Sequence, residues 1–205
     1  MRDPSDRDLV RLYWPVALRP AFDALMGIDE ALGEVVATTS QPALGAIRLA
    51  WWREALERLD SSPPPPEPRL QAVASELLPR GVTGAEVGAL EAGWAALLDE
   101  KLEADAVAAR GEALFALGGR LLGCSDPRLA EAGRLFALGH AARRGFRLPA
   151  PAGMGGHRFP RALRPLTALA RLAARDLRQG QRLEPEATPG RAWALMSHRL
   201  FGTVS

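Results

Sequence analysis

The sequence predicts an all-α fold, a single-domain helical bundle, and three observations carry that expectation. Windows rich in Ala, Leu, Arg and Glu recur with helical period along the chain. Gly and Pro separate them at spacings that suit helix–helix connections. Alternating runs of Val, Ile, Thr and Tyr, the signature of half-buried strands, do not occur. With 205 residues, 47% of them hydrophobic, the chain is long enough to bury one sizeable core.

The elements follow in order. Pro20 is placed to open a helix over residues 20–36, because proline is tolerated in the first turn, where its missing N–H costs nothing. Pro42 opens the next, in which Leu44, Ile47, Trp51, Ala55 and Leu59 fall on one stripe that should face the core, with Arg48 and Arg53 off it. Residues 61–68, Ser-Ser-Pro-Pro-Pro-Pro-Glu-Pro, form a stiff connection, since successive prolines remove donors and bias their predecessors toward extended backbone. A helix over 69–78 follows. Thr83-Gly-Ala-Glu86 has the form of a capping box, so a long helix should run from it toward Arg110, with Gly111 as a break before a further segment ending near Leu122. Ser125-Asp126-Pro127 opens a helix that fades at 143–145. Residues 145–160, with two prolines and three glycines inside, form a long loop. Pro160 and Thr188-Pro189 introduce two final helices, the first carrying Leu163, Leu166, Leu169, Ala170 and Ala173 on one face, for a total of seven or eight.

Composition narrows the function classes. The formal charge of +2 reflects a small excess of Arg over acid rather than a basic tract, so nucleic acid is not an expected partner. Cys124 is the single cysteine, which rules out an intramolecular disulfide and a two-thiolate metal site and fits a reducing, cytoplasmic setting. Charges crowd the first nine residues, where a secretory signal would place its apolar stretch. No apolar run approaches the roughly 18 to 20 residues that span a bilayer, so membrane contact is expected to be peripheral at most.

Residues 24–56, ALMGIDEALGEVVATTSQPALGAIRLAWWREAL, carry the most specific pattern in the chain: Arg48, Leu49, Trp51, Trp52, Arg53 and Leu56 in one helix, after an acidic helix. This segment resembles the early core of the squalene/phytoene synthase family. Fainter likeness continues through Glu91-Ala-Gly-Trp94, Leu114–Gly123 and Leu129–Ala142 to Arg143-Arg144-Gly145-Phe146-Arg147-Leu148-Pro149, which is similar to the family's Gly-Arg-x-Tyr-Leu-Pro ending. The resemblance implies a helical bundle around a cavity, in which two prenyl diphosphates are joined head to head with magnesium held by two aspartate-rich motifs. Carboxylates suit that task because hard Mg²⁺ takes oxygen ligands beside phosphates.

The chain departs from the family at those motifs. At the first it offers Asp29, Glu30 and Glu34, of which the last two are four apart and share a helix face. At the second it reads Leu138-Gly139-His140-Ala141-Ala142-Arg143-Arg144-Gly145, with no acid. That replacement opposes a cation and would still tolerate an anion. A subgroup of the family that includes a mitochondrial assembly factor for respiratory complex I keeps the tryptophan segment and lacks the acids, and this chain is similar to it. Three readings remain open. One is a catalytically degenerate homologue with no resident cofactor that binds an isoprenoid-like ligand, a partner protein, or both; Arg48, Trp52, Arg53, Arg143 and Arg144 are its candidate binding residues. Another is an active prenyl transferase with Mg²⁺ on Asp29, Glu30 and Glu34. The last is a scaffold without a ligand. Against each candidate stands a plain structural role: solvated arginines, exposed acids such as Asp99 and Glu103, a core position for Trp51, and histidines (His140, His157, His198) too scattered for a ligand motif.

Overall fold

The computed structural model describes residues 4–149, 151, 153–180 and 183–204. The described residues form ten α-helices and no strand; Arg158 and Thr203 make an isolated antiparallel bridge. Two expected segments, the loop over 145–160 and the approach to the last helix, include positions outside the described residues.

A capping box at Ser5 and Asp8 starts α1 (Asp6–Arg11). Proline sits in the first turn of α2 (Arg19–Thr38) and α3 (Pro42–Arg58), as read from the sequence, and also of α4 (Pro68–Glu76), where Pro68 is expected at the end of the connection, outside the helix. The proline-rich connection before α4 is non-helical, and Pro68 ends it by opening the helix.

The long helix expected over 84–110 is instead three pieces. The Thr83–Glu86 capping box is formed and Asp60 adds a second cap, its carboxylate accepting from the backbone of Gly84 and Ala85 at 2.5 and 2.9 Å. The helix nevertheless stops after one turn: α5 (Gly84–Gly88) and α6 (Glu91–Ala95) are separate, and a turn-rich stretch leads to α7 (Ala104–Leu121). Gly111 does not break α7. It lies where α7 meets Gly133 of α8 (Leu129–Arg143); a Cβ on Gly111 would stand 2.0 Å from the Gly133 carbonyl oxygen. The glycine pair lets two backbones touch, a packing role that helix propensity alone reads as a break.

The stripe assigned to α3 also needs correction. Ala55 and Leu59 are buried, but Leu44, Ile47 and Trp51 face solvent, and the buried line is Gly45, Leu49, Trp52 and Leu56. The helix is apolar on more than one side, so period alone cannot choose the packed side. Of the adjacent tryptophans, Trp52 is therefore the core residue, and Trp51 is half exposed at 50%.

Of the last two helices α9 (Arg164–Gln179) starts four residues after Pro160, whereas α10 (Pro189–Phe201) starts at the Thr188-Pro189 signal, with Thr188 capping it. Leu163, Leu166, Leu169, Ala170 and Ala173 are buried together as expected. Nine of the fifteen residues of α8 are buried because it packs on α7 on one side and on α9 on another. Meanwhile α2 packs on α3, α4, α6 and α7. The remaining sides of α2 and α8 face each other across a cavity.

Candidate functional site

Helical spacing puts one line of side chains from each helix into that cavity. From α2 come Met26, Glu30 and Glu34, spaced four apart; from α8, Phe136, Gly139, His140, Arg143 and Arg144; from α9, Leu169, Leu172, Ala173 and Asp176. Asp6 of α1, Arg191 of α10 and Glu186 close the end. The volume is about 330 Å³, at the lower end of ligand-binding pockets. Its lining is divided: Met26, Phe136, Leu169, Leu172 and Ala173 supply an apolar floor, and charged groups supply the rim. At the floor Gly139 allows close approach to α9, since a Cβ there would lie 2.6 Å from that of Ala173.

Of the candidate residues, Glu30, Glu34, Arg143 and Arg144 thus share one cavity. Asp29 does not. One residue before Glu30 is a 100° rotation around the helix, and this turns Asp29 into the core, where it is fully buried. There its Oδ1 accepts from Trp94 Nε1 at 3.0 Å and from Arg110 Nη1 in a short contact. Arg48 and Arg53 are exposed on α3 away from the cavity, the latter 4.0 Å from Glu91, and Trp52 is packed in the core. Asp99 and Glu103 line no part of the cavity either.

The electrostatics are those of paired charges. Glu30 accepts from Arg144 Nη2 at 2.7 Å, Glu34 from Arg69 Nη2 at 3.0 Å, and Asp29 is held by Arg110. Each of the three carboxylates proposed for magnesium therefore has a guanidinium on it. On the other side Arg143 donates to Asp176 Oδ2 at 2.9 Å and to the Glu184 carbonyl at 3.1 Å. Arg191, buried to 1% exposure, lies between Asp176 and Asp6. Burial works against the Arg191 charge, but the bonds to Asp176 and Asp6 overcome it and raise its pKa.

His140 joins the two walls. Its Nε2 is in close contact with Arg144 Nη1, and its Nδ1 lies 3.6 Å from Asp29 Oδ2. Burial pushes its pKa down, and Arg144 and Arg110 add to that against the pull of Asp29. The neutral ring accepts from Arg144 at Nε2 and turns Nδ1–H toward Asp29. For Asp29 itself burial acts to raise the pKa, and Arg110 and His140 more than reverse it, holding the carboxyl below the usual carboxylate range. Trp94 packs beneath, its ring 4.1 Å from the Arg110 guanidinium carbon and 5.1 Å from that of Arg144. Asp29 Oδ2, His140 Nδ1 and Arg110 Nε have no hydrogen-bond partner among the described residues.

Sequence reasoning passed over Trp94, Arg110 and His140 as members of this site. No local signal marks Arg110, which meets Asp29 across 81 residues of chain. For His140 the signal was its place in the acid-free segment opposite α2.

No protein-family model, curated protein or solved structure matches the chain.

Proposed function

We propose that this chain is a non-catalytic helical domain whose cavity takes one small uncharged amphiphile, a degenerate relative of the squalene/phytoene synthases. The pairing of Asp29, Glu30 and Glu34 with Arg110, Arg144 and Arg69 carries this reading. A magnesium cluster needs carboxylate oxygens free to converge on the ion, and here each would first have to leave a cation. The facing helix brings His140, Arg143 and Arg144 and no acid. This donor set does not fit magnesium.

The same pairing bears on the ligand. The sequence left room for an anion on the arginines of α8, but Arg143 and Arg144 are already neutralised, by Asp176 and Glu30. Four arginines line the cavity against five carboxylates, with His140 favoured in its neutral form. A diphosphate would gain little there, because it would have to displace a carboxylate from each guanidinium that it bonds. A single hydroxyl or carbonyl over an apolar tail suits a charged rim above an apolar floor. The family resemblance makes an isoprenoid alcohol the first class to test.

The deciding experiment compares farnesol, farnesyl diphosphate, and farnesyl diphosphate with Mg²⁺ by thermal unfolding and by diphosphate release. Farnesol at about a hundred times its Kd should stabilise by about 2.7 kcal/mol, and farnesyl diphosphate should do less, with no turnover. Mg²⁺-dependent diphosphate release that Glu30→Gln abolishes would establish the prenyl transferase reading instead.

A further inference from the structure

The near-neutral total charge hides an asymmetry along the chain. Residues 1–131 hold 13 basic against 21 acidic side chains, while residues 132–205 hold 13 arginines against three acids, Asp176, Glu184 and Glu186. All three acids have arginine partners: Asp176 with Arg143 and Arg191, Glu184 with Arg175, and Glu186 with Arg143. Of the arginines left without a carboxylate among the described residues, four lie near the end of α10: Arg158, Arg161, Arg164 and Arg199. Arg164 donates to the carbonyls of Phe159, Arg199 and Leu200 at 3.1, 2.9 and 2.9 Å, which fastens the C-terminus of α10 to the start of α9. Arg199 lies over the Tyr13 ring at 5.0 Å. With Arg161 these residues border one cleft, and burial together with the charges of Arg161 and Arg158 pushes the Arg164 pKa down. Among the described residues no carboxylate pairs with Arg158, Arg161, Arg164 or Arg199.

The helix beside this cluster is inverted relative to an ordinary surface helix. Its buried side holds Arg191, Ala194, Leu195 and His198. Its solvent side holds Trp193 (68% exposed), Met196, Leu200 and Phe201, spaced as one stripe, and no acid occurs anywhere in α10. An outward row of Trp, Met, Leu and Phe bordered by arginines is the arrangement of an interfacial helix. The apolar row enters the acyl boundary, and the cations meet anionic headgroups.

We propose that α10 and the Arg158–Arg161–Arg199 cluster dock the domain flat on an anionic lipid bilayer. This rests on observations separate from the cavity. Charge complementarity selects the occupant. A second copy would oppose arginines to arginines. A nucleic acid would match the arginines but leave four large apolar side chains against a polar groove. The exposed row on α3 (Leu44, Ile47, Trp51) shares its helix with Glu54 and Glu57 as well as with Arg48, Arg53 and Arg58, so it lacks the acid-free border of α10.

The test is co-sedimentation of the full 205-residue chain with vesicles of phosphatidylcholine alone and of phosphatidylcholine containing phosphatidylglycerol. Binding should require the anionic lipid and fall as salt is added. In a Trp51→Phe background the emission of Trp193 should shift to the blue on binding. Trp193→Ser/Leu200→Ser and Arg161→Glu/Arg199→Glu should each weaken binding about tenfold or more. Both pairs are exposed, and unchanged circular dichroism would show that the fold persists. The control pair Ile47→Ser/Trp51→Ser should bind as the parent does. The proposal is overturned by absence of binding to anionic vesicles at low salt, by equal binding of the α10 variants, or by loss of binding in the α3 control. It is also overturned by a dimer in light scattering that Trp193→Ser/Leu200→Ser dissolves, or by preference for a DNA duplex over the vesicles.

Discussion

Two buried charge clusters flank the same cavity and are built in different ways. Beneath α2, Asp29 meets Arg110, Trp94 and His140, and three polar atoms there remain without partners. Between α1, α9 and α10, Arg191 grips Asp6 and Asp176, Arg143 adds a bond to Asp176, and Asp6 Oδ1 also accepts from the backbone of Ala187. The second is a closed clasp that fastens the start of the chain to its last helix, with residues 6 and 191 in direct contact. The first is loosely satisfied and contains an imidazole at the cavity edge. Orphaned buried atoms carry a desolvation cost that a native fold usually avoids, and where they persist beside a cavity they mark the side that can rearrange around a ligand.

The contrast can be broken by substitution. The largest effect belongs to the clasp: Arg191→Met leaves Asp6 without its cation and Asp176 with Arg143 alone, and should cost about 4 kcal/mol, measured by urea unfolding. A loss under about 1 kcal/mol would mean that the clasp fastens nothing. Asp29→Asn comes next at about 3 kcal/mol, because it strands Arg110 in the core. The double variant Asp29→Leu/Arg110→Met should cost much less than that, since replacing a whole buried pair by apolar groups is often neutral.

Acid separates imidazole-bearing sites from the clasp, which has none. His198, buried under α10 with Nδ1 donating to the Thr203 carbonyl at 2.8 Å, has its pKa lowered by burial from 6.5 to about 4. Between those values the unfolded chain takes up a proton that the folded one refuses. Its contribution is therefore complete above pH 6.5 and drains as the pH falls, by about 1.4 kcal/mol per unit at most. The full loss by pH 4 is of the order of 2 to 3 kcal/mol. Below its ordinary value the His140 ring acts in the same direction, for the same reason. His198→Gln should flatten the pH profile of unfolding over this range.

The smallest effect sharpens the view of the cavity wall. A Cβ on Gly33 would come within 2.8 Å of the Trp94 ring and 3.0 Å of Arg144 Nη2. Gly33→Ala should cost about 1 to 2 kcal/mol and weaken farnesol binding by displacing Arg144. Unchanged ligand affinity with reduced stability would show that Arg144 does not border the bound molecule.

Much of the helix plan was legible because proline and capping chemistry act locally. Pro20, Pro42 and Thr188 each mark a start that the fold uses, since first-turn geometry depends on neighbours in sequence. Gly111 misled for the opposite reason. Its role is set by Gly133 on another helix, which no local pattern announces. The same limit applied to α3, where two apolar sides compete and the neighbours α2, α5 and α6 decide which is covered.

At the candidate site, i,i+4 spacing was enough to place Glu30 and Glu34 on one face of α2, and the acid-free run at the end of α8 was enough to mark the opposite wall. Composition and spacing thus determined an all-α fold and one side of its cavity, because propensity and helical period need no information beyond the segment itself. Only the tertiary structure decided that each α2 carboxylate meets an arginine, and that Arg191 joins the first helix to the last. Those pairings are formed by residues tens to nearly two hundred positions apart, and only packing brings them together.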